Sequence, residues 1–237
     1  GGAPVPVWPT APRPRLALAV TTGLIAGAIW RARRHVERVV QAEARTRNLG
    51  RYFSPEVAAR LAENAGAPGT GKVHDAAVLF VDVIGSSRRM EGVAPERVID
   101  AVRAYHARVV PIVFRHGGSI DKFLGDGIMA YFGAPVPQED HAFRAVSCAV
   151  EMYAALAKLN EERTRRGEPS LRMGIGIHTG LAVVGDIGAP HRREYTGIGD
   201  TVNLAARLTS HAGPGEAWVN EANARRVGAE VTSEARW

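Results

Sequence analysis

Asp82 and Asp126 are the side chains whose type and setting could do chemistry. Asp82 ends an apolar run of strand length at 76–81. It is followed by Val83-Ile84-Gly85-Ser86-Ser87, small and polar enough to let backbone N–H groups face an anion. Asp126 sits between Gly125 and Gly127 in the stretch 118–132. Glycine supplies the φ > 0 conformations of a tight turn. Ile120, Phe123, Leu124, Ile128, Met129, Tyr131 and Phe132 give both arms apolar, strand-favouring side chains. Two carboxylates, each at a strand end or turn beside glycine, suit a pair of hard divalent cations that also hold phosphates. Plain hairpin and strand-end aspartates account for the same two residues, so spacing alone leaves both readings open.

The elements that must position these residues alternate. The pattern predicts a strand at 76–82, a helix over 95–115 and a hairpin at 118–132. A long helix at 139–165 follows, with Ala142, Ala145, Val146, Ala149, Met152, Tyr153 and Leu156 spaced three to four apart on one face. Apolar strands at 171–178 and 181–186 are expected to join at Thr179-Gly180. A helix over 201–210, a short strand at 216–219 and a helix start at Asn220 close the series. Mixed strands and helices around one core give an α+β sandwich. Asn203 and Arg207, at i and i+4, share one helix face and can act on one ligand. Plainer roles are also available: a solvated hairpin lysine for Lys122, a helix-end cap for Arg207, a surface polar residue for Asn203. His178 reads as a packed strand residue. No Cys/His cluster has zinc spacing.

The chain has 237 residues, of which 46 % are hydrophobic, enough for one domain and a shorter appendage. Cys148, the single cysteine, excludes an internal disulfide and agrees with a reducing compartment. Net charge is +6. The arginines gather at 31–51, 88–115 and 163–172 on helix-like stretches, with no basic stripe interleaved with aromatics, which argues against nucleic acid as a partner. Residues 1–15 are Pro-rich. Residues 16–30 carry no charge, fewer than the about 20 apolar residues of a usual span. Trp30 and Arg31, Arg33 and Arg34 flank them, and the stretch reads as a transmembrane helix with all that follows on the cytoplasmic side of the cell membrane. A secretory signal core and a buried helix are the rival readings. Residues 31–71 read as connecting helices and a linker. Val36, Val39 and Val40 make a stripe able to pair with a second copy, Ser54-Pro55 opens a short helix, and a Gly/Ala-rich linker ends at 71.

At Asp200-Thr201-Val202-Asn203-Leu204-Ala205-Ala206-Arg207-Leu208 the pattern becomes specific. With Phe80-Val81-Asp82, Lys122-Phe123-Leu124-Gly125-Asp126-Gly127 and Gly176-Ile177-His178-Thr179-Gly180, it resembles the class III nucleotidyl cyclase catalytic domain. The motifs stand in the family's order and place the catalytic domain at 72–237. The resemblance implies a ferredoxin-like α+β domain that works as a homodimer with shared active sites. It implies two Mg²⁺ or Mn²⁺ per site, held by Asp82, Asp126 and the Val83 carbonyl. Gly85, Ser86 and Ser87 match the substrate-binding turn. Lys122 and Thr196 match the two purine-reading positions, Asn203 the ribose-orienting residue, and Arg207 the arginine that stabilises the α-phosphate. Guanylyl cyclases of the family carry Glu and Cys at the positions of Lys122 and Thr196, so this pair favours ATP. The function implied is an adenylate cyclase making 3′,5′-cyclic AMP and pyrophosphate. A guanylate cyclase, or a silent regulatory domain that dimerises and relays a signal, are the alternatives. Ser86 and Gly174 depart from the family's usual Phe and Arg. The family's last strand pair, which supplies a lysine to the triphosphate, is expected beyond Trp237.

Overall fold

The computed structural model describes residues 71–85, 95–189 and 192–228. The Pro-rich segment, the expected membrane helix at 16–30, the connecting helices with their linker up to residue 70, and Ser86 and Ser87 lie outside the described residues. Among the described residues no helix is long and apolar enough to cross a membrane.

The elements in chain order are β1 (Lys72–Val83), α1 (Pro95–Arg115), β2 (Ser119–Leu124), β3 (Gly127–Phe132) and α2 (His141–Arg165). They continue with β4 (Met173–Ala189), β5 (Arg192–Ile198), α3 (Asp200–His211), β6 (Ala217–Val219) and α4 (Glu221–Val227). The sheet runs β2-β3-β1-β4-β5, each pair antiparallel. One edge of β4 is divided. Its first half pairs in parallel with β6 and its second half pairs with β5. The order β2-β3-β1-β4 with helices after β1 and β3 is the ferredoxin-like arrangement that the resemblance implied.

β1 lies at the centre and both its faces are covered, which explains an apolar run without alternation. Ala77, Leu79, Val81 and Val83 pack against Tyr105, Val109 and Ile112 of α1 and Ala145, Ala149 and Met152 of α2. Ala76, Val78 and Phe80 face the other way, toward Met129, Tyr131, Ala182, Val184 and Ala205 of α3. The 3–4 spacing read in α2 is the buried stripe Ala142, Ala145, Ala149, Met152, Leu156, and Cys148 is buried beside it. Burial pushes the Cys148 thiol well above its ordinary value.

Two features differ from the sequence reading. The strands expected at 171–178 and 181–186 are one strand, β4, with Thr179-Gly180 inside it. Gly180 is there for closeness and not for a turn: a Cβ on it would lie 2.9 Å from Thr201 Oγ1. Gly176 is tighter still, since a Cβ would lie 2.3 Å from Thr209 N and 2.5 Å from the Ala205 carbonyl oxygen. These glycines let α3 sit directly on β4 through Thr201, Ala205 and Thr209, its buried face. The second difference is β5, whose sequence Arg-Arg-Glu-Tyr-Thr-Gly-Ile is too polar to read as a strand. It forms because the end of the long β4 offers it an unpaired edge.

Two glycine substitutions therefore separate packing from backbone conformation. Gly176→Ala is expected to destabilise by about 3 kcal/mol, the upper range for forcing a methyl into a filled core. Gly125→Ala, at φ 66° with no atom within 4 Å of the added Cβ, is expected to cost about 1–2 kcal/mol from the left-handed conformation alone. Urea unfolding midpoints check the order; a Gly176→Ala variant no less stable than Gly125→Ala contradicts the close docking of α3.

Candidate functional site

The acidic pair is built by β1 and the β2–β3 hairpin. Val81 pairs with Ile128, and the same register continued by one step sets Asp82 opposite Gly127. The two-residue turn is Gly125-Asp126, with Gly125 at φ 66°. Gly127 has a separate task, because a Cβ on it would lie 2.6 Å from the Val81 carbonyl oxygen. Its bare backbone lets the turn press against the end of β1, and this carries Asp126 to Asp82. The two carboxylates feel each other. The Asp82 carboxyl is held above its ordinary value, first by partial burial and then by the negative charge of Asp126, against a backbone hydrogen bond at Val83. Val83 and Asp126 also wall one shallow depression with Ala101, Tyr105 and Leu171.

A residue that sequence reading missed steadies this turn. His106 of α1 places Nε2 3.0 Å from the Asp126 carbonyl oxygen, and its ring lies 4.7 Å from that of Phe123. A protonated Nε2 donates to the carbonyl and fixes the turn from outside the hairpin. Nothing in the sequence ties His106 to a residue 20 positions on, since the contact depends on how α1 lies on the sheet. Among the described residues no group of three or more His, Cys, Asp or Glu gathers where a metal could sit. Two repelling carboxylates beside backbone carbonyls fit a metal that completes its shell with water and substrate phosphate, as Mg²⁺ does. They do not fit an all-protein cage.

A second group forms where the two ends of the strand path meet. β2 carries a bulge between Ile120 and Lys122, and Asp121 is the extra residue. A bulge re-aims a side chain, and Ser119, Ile120 and Asp121 are consecutively buried as a result. The Asp121 side chain is 0 % exposed, and its Oδ2 lies 3.6 Å from Lys122 Nζ. Thr196 of β5, 9 % exposed, donates its Oγ1 hydrogen to the same oxygen at 3.0 Å. Gly197 N–H donates to the Tyr131 hydroxyl at 2.6 Å, which knits β5 to β3 across the same gap. Burial raises the Asp121 carboxyl, while Lys122, Thr196 and Tyr131 draw it back. Lys122 also reaches Glu194 Oε2 at 3.3 Å. Sequence reading named Lys122 and Thr196 for the site, passed over Asp121 and took Tyr131 only as a strand-favouring side chain. Three consecutive inward residues look wrong for a strand unless the bulge is known.

The third group is on α3. Asn203 and Arg207 are both exposed, on a face turned away from the docked one. Among the described residues neither side chain has a hydrogen-bond or ion-pair partner. Arg207, Leu204, Leu208 and His211 of α3 line a groove of about 370 Å³ with His178, Trp218 and Asn220. His178 is partly buried, within hydrogen-bond distance of Asn220 at 3.2 Å and lowered by burial, as a packed strand residue should be. Gly85 ends the turn after β1 at φ 69°. Gly174 cannot host the arginine usual in the resembled family, because its Cβ would lie 2.8 Å from the Ala212 carbonyl oxygen. The structure thus brings Asp82, Val83 and Asp126 together, and separately Lys122 and Thr196, and separately Asn203 and Arg207. Among the described residues no hydrogen bond or ion pair joins one group to another.

A family model described as adenylate and guanylate cyclase catalytic domain matches residues 70–235. Adenylate cyclase 1 of Rhizobium meliloti is 39% identical over 130 residues, 55% of this chain and 20% of that protein. An uncharacterized protein of Mycobacterium tuberculosis is 34% identical over 221 residues, 93% of this chain and 40% of that protein. The chain spans less than half the length of either relative. Among solved structures, the guanylyl cyclase Cya2 is 39% identical with a TM-score of 0.65, over 68% of this chain and 81% of that one. The adenylyl cyclase CyaB from P. aeruginosa is 32% identical with a TM-score of 0.64, over 66% and 82%.

The repulsion between Asp82 and Asp126 makes a prediction that does not depend on turnover. Asp82→Asn removes one of the two charges, so the metal-free protein is expected to melt higher than wild type at neutral pH. The wild type should gain melting temperature on addition of Mn²⁺, and the variant should gain little, because one carboxylate of the pair is lost. Thermal melts with and without Mn²⁺ check both halves. A variant that melts lower, or that responds to Mn²⁺ as the wild type does, rules the pair out as a metal site.

Proposed function

The chain belongs to the adenylate and guanylate cyclase catalytic domain family, and we propose that it is an adenylate cyclase, converting ATP to 3′,5′-cyclic AMP and pyrophosphate at a site shared by two copies. The observation that carries the choice of purine is Lys122. An ammonium only donates. Adenine offers an acceptor at N1, where guanine offers an N–H that would face the lysine donor to donor. Likeness to a protein named adenylate cyclase and to solved adenylyl and guanylyl cyclases supports the reaction class without choosing the base.

In the reaction the ribose 3′-hydroxyl attacks the α-phosphorus and pyrophosphate leaves. Divalent metal, Mg²⁺ or Mn²⁺ and two per site, supplies acidification of that hydroxyl and neutralisation of the triphosphate. Asp82, Asp126 and the Val83 carbonyl are the groups that would hold it. Asn203 orients the ribose, and Arg207 places positive charge where the α-phosphoryl oxygens gather negative charge. Lys122 and Thr196 hold the base, and Gly85, Ser86 and Ser87 are proposed as the residues that meet the phosphates. These groups supply positioning and charge, and no protein nucleophile is needed. We place this site at the interface of a homodimer, as the family resemblance implies, where Asp82 and Asp126 of one copy would face Lys122, Thr196, Asn203 and Arg207 of the other. The segment 16–30 is proposed as the anchor that holds the domain on the cytoplasmic side of a cell membrane.

Cyclic nucleotide formation from ATP and from GTP with Mn²⁺ tests the reading. Lys122→Glu is expected to lower kcat/KM for ATP at least about 100-fold, since a site built for one donor pattern rejects the other; an unchanged ATP/GTP ratio removes the base-reading role. Complementation tests the shared site. Asp82→Ala and Arg207→Ala should each be nearly inactive. In a heterodimer of the two, one site carries both lesions and the other neither. An equal, freely exchanging mixture should regain about a quarter of wild-type activity, because half the dimers are mixed and each has one intact site. No recovery despite demonstrated exchange contradicts sharing.

A further inference from the structure

Asp121 is a buried carboxylate that the reaction does not use. It stands on the bulge of β2 with its side chain 0 % exposed. Its Oδ1 has no hydrogen-bond partner among the described residues. Its Oδ2 receives the Thr196 hydroxyl hydrogen at 3.0 Å and faces Lys122 Nζ at 3.6 Å. The Tyr131 hydroxyl, which already accepts the Gly197 N–H at 2.6 Å, lies beside the same carboxylate. We propose that Asp121 is a positioning residue for purine selection, which fixes the Thr196 hydroxyl as a hydrogen-bond acceptor toward the base. The proposal rests on the reading of Thr196 as a base-contacting residue of an adenylate cyclase.

The argument is one of hydrogen-bond polarity. A threonine hydroxyl has one hydrogen and two lone pairs, and it can present either to a ligand. Left free, it would accept from the 6-amine of adenine or donate to the 6-oxo group of guanine, and it would select nothing. Asp121 Oδ2 takes the hydrogen, so only lone pairs remain for the ligand. Adenine carries a donor at that edge and guanine an acceptor. Lys122 imposes the opposite polarity at N1. Together the two residues present a donor and an acceptor, the complement of adenine, and Asp121 sets half of that pattern without touching the base. The bulge is what allows it. A regular β2 would turn residue 121 to the other face of the strand.

The test uses the full 237-residue chain and reads affinity, so it does not depend on turnover. Dissociation constants are measured with Mn²⁺ by isothermal titration for ATP and for inosine triphosphate, which carries a 6-oxo group in place of the 6-amine, each as its 3′-deoxy form so that neither is turned over. Wild type is expected to prefer the adenine nucleotide by at least about tenfold, the worth of one buried hydrogen bond, since inosine mismatches both positions. Thr196→Val, which can neither accept nor donate, and Asp121→Leu, which frees the hydroxyl to donate to the 6-oxo group, should each narrow that preference several-fold and leave what Lys122 contributes at N1, and the double variant should go no further. Asp121→Asn keeps an acceptor facing Thr196 and Lys122 and should keep most of the preference. Retention of the full preference in Thr196→Val, or in a folded Asp121→Leu, overturns the proposal. So do losses that multiply in the double variant. Thr196→Val decides the matter even if Asp121→Leu does not fold. A wild type that binds ATP with the expected preference but makes no cyclic nucleotide overturns the adenylate cyclase reading and leaves the polarity argument standing; a wild type that does not bind ATP overturns both.

Discussion

At Gly176 the backbone of α3 occupies the place where a side chain of β4 would be. This near contact governs much of what surrounds it. With Thr201, Ala205 and Thr209 pressed to the sheet, Asn203 and Arg207 are left facing outward. The helix is also pinned at its start, where Thr201 donates its hydroxyl hydrogen to the Leu181 carbonyl oxygen at 2.7 Å. β5 runs into α3 through Gly199, at φ 134°. Fixing the helix therefore fixes the end of β5, and with it the height at which Thr196 meets Asp121. A larger residue at 176 would lift the helix and disturb two of the three functional groups at once.

The acidic group depends on a different kind of close approach. Gly125 provides the left-handed conformation of the turn, whereas Gly127 provides room against the β1 backbone. The sequence shows the same residue twice within three positions, yet the two glycines answer to separate physical demands. His106 then holds the turn from α1. The result is a pair of carboxylates brought together against their own repulsion. The fold tolerates this because Asp82 remains partly solvated and because β1 is buried on both faces up to its last residues.

The sequence made local and periodic features legible. Asp82 at a strand end, the hairpin about Asp126, the apolar stripe of α2 and the i, i+4 pair on α3 all follow from rules that act over a few residues. Features that depend on tertiary approach were hidden. Gly180 looked like a turn because a strand glycine needed for helix contact is indistinguishable from a turn glycine without the helix. β5 was not read from the sequence, because its strand character comes from the edge that β4 extends to it. Asp121 was passed over because a bulge is not visible in composition, and without the bulge its neighbour Lys122 seems the only polar residue of interest. The groups named for the site were found largely through their resemblance to a family. Spacing alone left each of them a plainer role.

The distribution of charge within one chain argues for what the site must receive. Asp82 and Asp126 face each other with no cation beside them among the described residues, a setting that attracts positive charge. Arg207 stands exposed with no carboxylate in reach among the same residues, a setting that attracts negative charge. Among the described residues no ion pair joins the two. A metal–triphosphate carries both complements in one ligand. Lys122 differs, since Glu194 and Asp121 already balance it. The Glu194 pair is exposed on both sides, and exposed pairs are worth at most about 1 kcal/mol. On the proposed function, a base arriving at Lys122 would displace Glu194 at little cost, while Asp121, buried beneath, would stay to hold the hydroxyl of Thr196.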